Sequence, residues 1–492
     1  MRFGPFSDLG YALHAPFSKP YGLLRLFSFF LGPAVAAAMV FAGPMGGMSA
    51  TAWRTAALGV LMVIWWVTEA VPIAATALLP MALLPLLGVM NISDAAGPYA
   101  NPVIYLFFGG FVLAAAFERS GLHRRLALRL LTLVGTRPDR IIGGFMVTGG
   151  LMSMWVSNTA ATLMLLPLAT SILPRAGDRN APATQFEKAL LLSIAYAATI
   201  GGFGTLIGSP PNALLAGFLA QNHGIRLRFA EYMLIGVPIV VVALPIAWVI
   251  LTRLVFRVSR ETSIVDGNAL REQRRALGPM SRAEKFVASV GVVTALAWIG
   301  QPLIARAWPA ISEAGISVMC ALALLLIPLD ARGTRAISWD EAERIPWGVL
   351  VLFGGGLSLA AAIQEGGLAA WITATVGTLR ALPPLLLVLI VTTIITILTE
   401  FTSNTATAAA FLPVASSVAV AAGMNPLLLL VAAGLAASNG FMMPVGTPPN
   451  AIAFSTGKVT VPEMARSGLL IDVVFVVILT LTAYFLVLPV LG

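Results

Sequence analysis

Apolar stretches of bilayer-crossing length recur along the chain near 26–43, 52–68, 70–90, 103–118, 189–204 and 229–252. They recur again near 286–304, 312–329, 347–364, 427–443 and 467–490. A helix needs about 20 such residues to span the hydrocarbon core, so the pattern predicts about eleven transmembrane helices. Two further apolar stretches, 141–173 and 385–421, are interrupted at their middles by one polar tripeptide, Ser157-Asn158-Thr159 and Ser403-Asn404-Thr405. Each stretch is long enough for two half-length helices and awkward as one straight span. The expectation is a hairpin that enters and returns on the same side.

Loop charge sharpens that expectation. Arg119, Arg124, Arg125, Arg129, Arg137 and Arg140 crowd 119–140, and another basic cluster fills 253–285. Smaller groups lie at 174–188 and 330–346, whereas 43–51 and 91–102 contain neither Lys nor Arg. Basic loops stay in the cytoplasm. A cytoplasmic N-terminus then puts every rich segment inside, provided that both hairpins are re-entrant, and it leaves the C-terminus outside. An ordinary crossing at 141–173 would put the basic loops 119–140 and 174–188 on opposite sides.

The two halves also repeat. Gly109-Gly110, Gly121, Ser153, Ser157, Asn158 and Pro167 match Gly355-Gly356, Gly367, Thr399, Ser403, Asn404 and Pro413 at a constant offset of 246. A second shared break, Gly208-Ser209-Pro210-Pro211-Asn212 and Gly446-Thr447-Pro448-Pro449-Asn450, follows at an offset of 238. The charge rule opens the first hairpin to the cytoplasm and the second to the outside, so the repeats are expected to be inverted. The expected organisation is a cytoplasmic N-terminal segment with the first helix (1–51), a first repeat (52–257), a cytoplasmic linker (258–285) and a second repeat (286–492). The N-terminal stretch lacks a small-residue cleavage site and reads as a retained segment rather than a signal peptide.

Composition agrees and removes other classes. Of 492 residues, 58% are hydrophobic and 10% charged, with mean hydropathy +0.91, whereas soluble domains carry about a quarter charged residues. This is an all-α polytopic membrane protein. The net charge of +9 belongs to cytoplasmic loops. One Cys excludes an intrachain disulfide, and three scattered His offer neither a zinc or haem cluster nor a base beside either Ser-Asn-Thr. A membrane hydrolase therefore lacks its parts, and no cofactor is expected. The Gly-rich runs at 109–110 and 354–356 lack the following Lys-Ser/Thr of a phosphate loop and suit close helix packing.

The breaks carry the chemistry. A polar, helix-breaking motif is costly inside a membrane unless it lines a cavity. Where one half-helix ends and another begins, carbonyls without partners suit a hard cation and free N–H groups suit a carboxylate. Ser and Asn oxygens can complete a cation shell, and the Asn amide and Thr hydroxyl can donate to an anion. A plain helix N-cap would also explain one copy, but less readily two matched ones. The Pro-Pro pairs interrupt a helix beside Gly208 and Gly446, which leave backbone accessible, and beside the hydroxyls of Ser209 and Thr447. Among intramembrane acids, Glu69 and Glu118 sit at helix boundaries. Glu400, with Met154 at the matching place, reads either as a proton site or as a structural carboxylate bonded within the second hairpin.

In these residues the chain resembles the divalent anion/sodium symporter family, the INDY-type dicarboxylate carriers. The likeness runs from about Trp53 to the C-terminus, through Thr68-Glu69-Ala70-Val71-Pro72, the segment Asn101 to Leu122, and the paired motifs. The resemblance implies a homodimer with scaffold and transport domains and elevator-type alternating access. It implies one Na⁺ site at Ser153, Ser157, Asn158 and the Gly208 backbone, and another at Thr399, Ser403, Asn404 and the Gly446 backbone. Substrate carboxylates would meet Asn158, Thr159, Asn404, Thr405 and Thr447, with Ser209 a weaker candidate. Intact tripeptides in both halves are like C4-dicarboxylate carriers; citrate- and sulfate-preferring relatives tend to vary one copy. The expected function is Na⁺-coupled carriage of succinate, malate or fumarate, in a bacterial inner membrane. The alternatives are a Na⁺-independent dicarboxylate exchanger of the same fold, a citrate or sulfate carrier, or a channel.

Overall fold

The computed structural model describes residues 21–135, 137–173, 184–258, 267–375 and 382–491. Parts of the expected N-terminal segment, of the basic loop 174–188 and of the linker 258–285 lie outside these residues. Among the described residues the regular structure is helical, with one isolated bridge between Pro328 and Arg335. Eight helices there are long and apolar enough to cross a membrane, from Arg25–Ala42 to Val461–Leu491. Their outward faces are apolar: Val292, Val293, Leu296 and Leu303 of the helix Arg282–Ala307 are all exposed. In water such faces would be costly; against lipid they are matched to their surroundings.

One expected span is corrected. The stretch 70–90 is not a single helix. It holds two short ones, Ile73–Thr76 and Leu79–Leu86, because Pro72 caps the first and Pro80 opens the second. Proline lacks the N–H that a continuous ladder needs. The stretches 189–204 and 427–443 likewise begin as helices, Gln185–Gly201 and Pro426–Ala436, then unwind before their ends.

Glycine sets the close crossings. A Cβ at Gly109 would fall 2.2 Å from the Ser317 carbonyl oxygen, and one at Gly355 would fall 2.1 Å from that of Ala77. Backbone meets backbone there, so the Gly-rich runs are packing surfaces. A Cβ at Gly201 would meet the Gly150 carbonyl oxygen at 2.2 Å. That contact seats the helix Pro138–Ser153 directly on Gln185–Gly201 and so places the first polar tripeptide against the first unwound segment.

Arg125 ties the basic side together. Its guanidinium donates to both Glu284 carboxylate oxygens, at 2.7 and 3.1 Å, and to the carbonyls of Leu277, Gly278 and Pro279. Charge-assisted bonds of this kind contribute more than neutral ones. Arg125→Ala is expected to lower stability by about 2 kcal/mol. The thermal unfolding temperature of detergent-solubilised protein checks it; an unchanged value would show that the network contributes nothing net.

Candidate ion and substrate site

Both tripeptides sit where the sequence pattern puts a break. The helix Pro138–Ser153 stops, three residues turn, and Ser157 in extended backbone caps the helix Asn158–Ile172 by accepting from the Ala160 N–H at 3.2 Å. In the second half Pro384–Thr399 stops at Glu400, and Asn404–Ala421 starts after Ser403. Ser403 makes no such capping bond, so its hydroxyl is left for other use.

The first half-site is built around Asn158. One terminal atom of its carboxamide lies 2.6 Å from Ser153 Oγ, 3.1 Å from the Gly208 carbonyl oxygen and 3.2 Å from that of Ala198. All three neighbours are oxygens. With nitrogen at that position the amide donates to them; with oxygen there, four oxygens converge in the way a cation would gather them. Ser153 is fully buried, and Gly208 lies on the turn that precedes Pro210. The structure therefore brings Ser153, Asn158 and Gly208 together and adds the Ala198 carbonyl. No sequence pattern marks a main-chain oxygen of an alanine, so that neighbour has no signature in the chain.

The second half repeats the first of these contacts. Thr399 Oγ1 donates to Asn404 Oδ1 at 2.8 Å and lies 2.7 Å from the Ala437 carbonyl. The second breaks correspond still more closely. Asn212 Nδ2 donates to the carbonyls of Gly202 and Thr205, and Asn450 Nδ2 to those of Gly440 and Met443. The Gly208 N–H donates to the Thr205 carbonyl and the Gly446 N–H to that of Met443. Each pair is related by the offset of 238 read from the sequence. The Pro-Pro-Asn asparagines thus brace the unwound turns that present Gly208 and Gly446.

The two half-sites touch. Ser209 Oγ and Ser438 Oγ are 3.0 Å apart and buried. Thr447 is buried and accepts weakly from the Asn450 N–H at 3.4 Å. Thr159 and Thr405 are partly exposed, each in the first turn of its helix, where N–H groups lack intrahelical partners. Beside the first break lies a cavity of about 400 Å³. Val156, Ala160 and Met164 form one wall, Ala114, Glu118, His123 and Arg124 the other, and Gln273 stands at the basic side.

Three acids clarify the sequence reading. Glu69 caps its helix in left-handed backbone and pairs with Arg25 at 3.5 Å, away from both breaks. Glu118 is exposed on the cavity wall. Glu400 has its partners outside its own hairpin: it accepts from the N–H groups of Phe441, Met442 and Met443, at 2.6 to 3.0 Å. The unwound stretch after Ala436 exposes three successive donors, and a carboxylate is the group that can take them all. A further buried acid, Asp472, interrupts an apolar run in Val461–Leu481.

Known proteins agree with this architecture. The chain is 40% identical over 486 residues to the sodium-dependent dicarboxylate transporter SdcS of Staphylococcus saprophyticus, covering 96% of this chain and 94% of that protein. It is 40% identical over 489 residues to the SdcS of Staphylococcus aureus strain USA300, covering 96% and 93%. Among solved structures it resembles in fold the YdaH transporter of Alcanivorax borkumensis, with TM-score 0.58, 14% identity, and coverage of 94% and 98%. MtrF of Neisseria gonorrhoeae is similar, with TM-score 0.56, 13% identity, and coverage of 93% and 98%. The family described as the sodium:sulfate symporter transmembrane region matches residues 25–491. With that match running nearly end to end, the chain is an integral membrane protein of the sodium:sulfate, or divalent anion/sodium, symporter family.

Proposed function

We propose that the protein is a secondary active transporter carrying C4-dicarboxylates such as succinate, malate or fumarate, coupled to Na⁺. The observation that carries this reading is the convergence of side-chain and main-chain oxygens on Asn158, with the matching Thr399–Asn404 bond in the second half. A dianion near the membrane midplane is costly, and two adjacent Na⁺ ions compensate it while ordering the turns that hold it. One ion is held by Ser153, Ser157, Asn158 and the Gly208 carbonyl, the other by Thr399, Ser403, Asn404 and the Gly446 carbonyl. Asn158, Thr159, Asn404, Thr405 and Thr447 then meet the substrate carboxylates; Ser209, occupied with Ser438, is the weaker contact.

The name of the family speaks of sulfate, whereas the relatives at 40% identity are named for dicarboxylates. The intact tripeptide in both halves favours the dicarboxylate. The re-entrant hairpins, their inverted topology, an elevator movement of a transport domain in a homodimer, and a bacterial inner-membrane location with a cytoplasmic N-terminus belong to the same proposal. Purified protein in proteoliposomes is expected to take up succinate saturably. Uptake should fall by about tenfold or more when choline replaces Na⁺. Uptake indifferent to Na⁺, with counterflow intact, would instead identify an exchanger; single-channel currents would identify a channel.

A further inference from the structure

The two repeats differ at one helix crossing beside the site. In the first half the helix Pro138–Ser153 meets the end of Gln185–Gly201 at Gly150 and Gly201, where a Cβ on Gly201 would fall 2.2 Å from the Gly150 carbonyl oxygen. Main chain touches main chain, and no side chain fits between. The offset of 246 carries Gly150 to Thr396. The offset of 238 carries Gly201 to Asn439, next to the Gly-Phe pair that both halves share at 202–203 and 440–441.

The second crossing keeps the place and changes the chemistry. Asn439 Nδ2 donates to Thr396 Oγ1 at 3.3 Å, and both residues are buried. Two side chains stand where the first half has two bare backbones. A hydrogen bond, rather than main-chain contact, therefore sets the separation. The Asn439 Oδ1 meets no donor among the described groups. The pair thus brings one long bond and one acceptor without a protein partner, a combination that contributes little to stability. Its consequence is geometric.

What that geometry governs lies one turn away. Thr399 follows Thr396 by three residues on the helix Pro384–Thr399, so the two share a face. Thr399 Oγ1 donates to Asn404 Oδ1 at 2.8 Å and to the Ala437 carbonyl at 2.7 Å. Ala437 stands two residues before Asn439, where the helix Pro426–Ala436 ends. The Asn439–Thr396 and Thr399–Ala437 bonds therefore join the same two segments. Without the first, the second alone holds Thr399 in place beside Asn404.

We propose that Asn439 is a positioning residue for the second half-site. Its amide acts through Thr396 and fixes the separation at which Thr399 meets Asn404 and the Ala437 carbonyl. In the first half the contact between Gly150 and Gly201 fixes the same separation with no side chain involved. The second half-site is consequently the one whose cation affinity depends on a single side-chain bond outside the ligand set. This rests on the reading of the two half-sites as Na⁺ sites.

The experiment titrates Na⁺ at fixed succinate in proteoliposomes for wild type, Thr396→Val, Thr396→Ser, Asn439→Ala and the double variant Thr396→Val with Asn439→Ala. Valine removes the hydroxyl that accepts the bond. It is expected to raise the half-saturating Na⁺ concentration about tenfold, with the maximal rate within about twofold and the unfolding temperature little changed. Serine keeps the hydroxyl and should stay within about twofold of wild type. Asn439→Ala should match Thr396→Val, and the double variant should match either single one, because all three remove the same bond. An unaltered Na⁺ requirement in Thr396→Val, whatever its rate or unfolding temperature, would overturn the proposal. So would Thr396→Ser as impaired as Thr396→Val, or effects that multiply in the double variant. If Asn439→Ala does not fold, the two Thr396 variants still decide. Wild-type uptake indifferent to Na⁺ is a separate result: it would overturn the Na⁺ reading itself, and the proposal with it.

Discussion

Asn158→Ala and Asn404→Ala are each expected to abolish Na⁺-dependent succinate uptake while leaving expression and unfolding temperature near wild type. Each carboxamide is the atom group through which the end of one half-helix reaches the start of the next, by way of Ser153 or Thr399. Alanine removes the only side-chain oxygen at that position and leaves the hydroxyl across from it without its partner. A group one step removed from a bound ion is worth roughly 10–100-fold in affinity. A direct ligand is worth at least as much, so the loss in uptake should reach about a hundredfold. The helices themselves do not depend on these side chains, since Asn158 and Asn404 are the first helical residues and alanine is a good helix former. Uptake at the wild-type rate in either variant would remove that residue from the site.

Gly202→Ala is expected to be nearly as severe, and its counterpart Gly440→Ala is expected to be mild. A Cβ at Gly202 would lie 2.8 Å from Asn158 Oδ1, 3.0 Å from Nδ2 and 3.2 Å from the Gly208 carbonyl oxygen. The methyl would occupy the space where those oxygens converge, and the Asn158 carboxamide would have to leave Ser153. Gly202 itself has right-handed backbone, so alanine adds no strain and the fold should survive. At Gly440 the nearest atoms to a Cβ are Thr447 Cγ2 at 3.4 Å and two carbonyl oxygens at 3.7 Å, which is ordinary contact. Gly202→Ala should therefore lose uptake by about tenfold or more, and Gly440→Ala by no more than a few-fold. Transport rates of folded, monodisperse protein check both. Equal effects at the two glycines would show that the first half-site does not use this space.

These predictions turn on a difference between halves that begin as copies. The paired Ser-Asn-Thr, the paired Pro-Pro-Asn and the two offsets are visible in the chain itself. They survive in the structure as repeated hydrogen bonds, such as those from Asn212 and Asn450 to the turns before them. The glycine runs were legible too, because closely packed helices need them. The stretch 70–90 reads as one span but folds as two short helices, since its apolar length outweighs Pro72 and Pro80 in the pattern. Asp472 is inconspicuous in the pattern for a related reason: one acid barely dents the hydropathy of a long run.

By itself the sequence determined the membrane class, the helical content, the places where helices break and the side chains that stand at those breaks. Those properties are local: apolar length, proline and polar residues act within a few positions of where they occur. Only the tertiary structure decided what meets across the breaks. The Ala198 and Ala437 carbonyls and the clamp of Glu400 on residues 441–443 join positions far apart in the chain. Main-chain oxygens have no residue signature, and the partner of a buried carboxyl is chosen by helix packing rather than by sequence spacing.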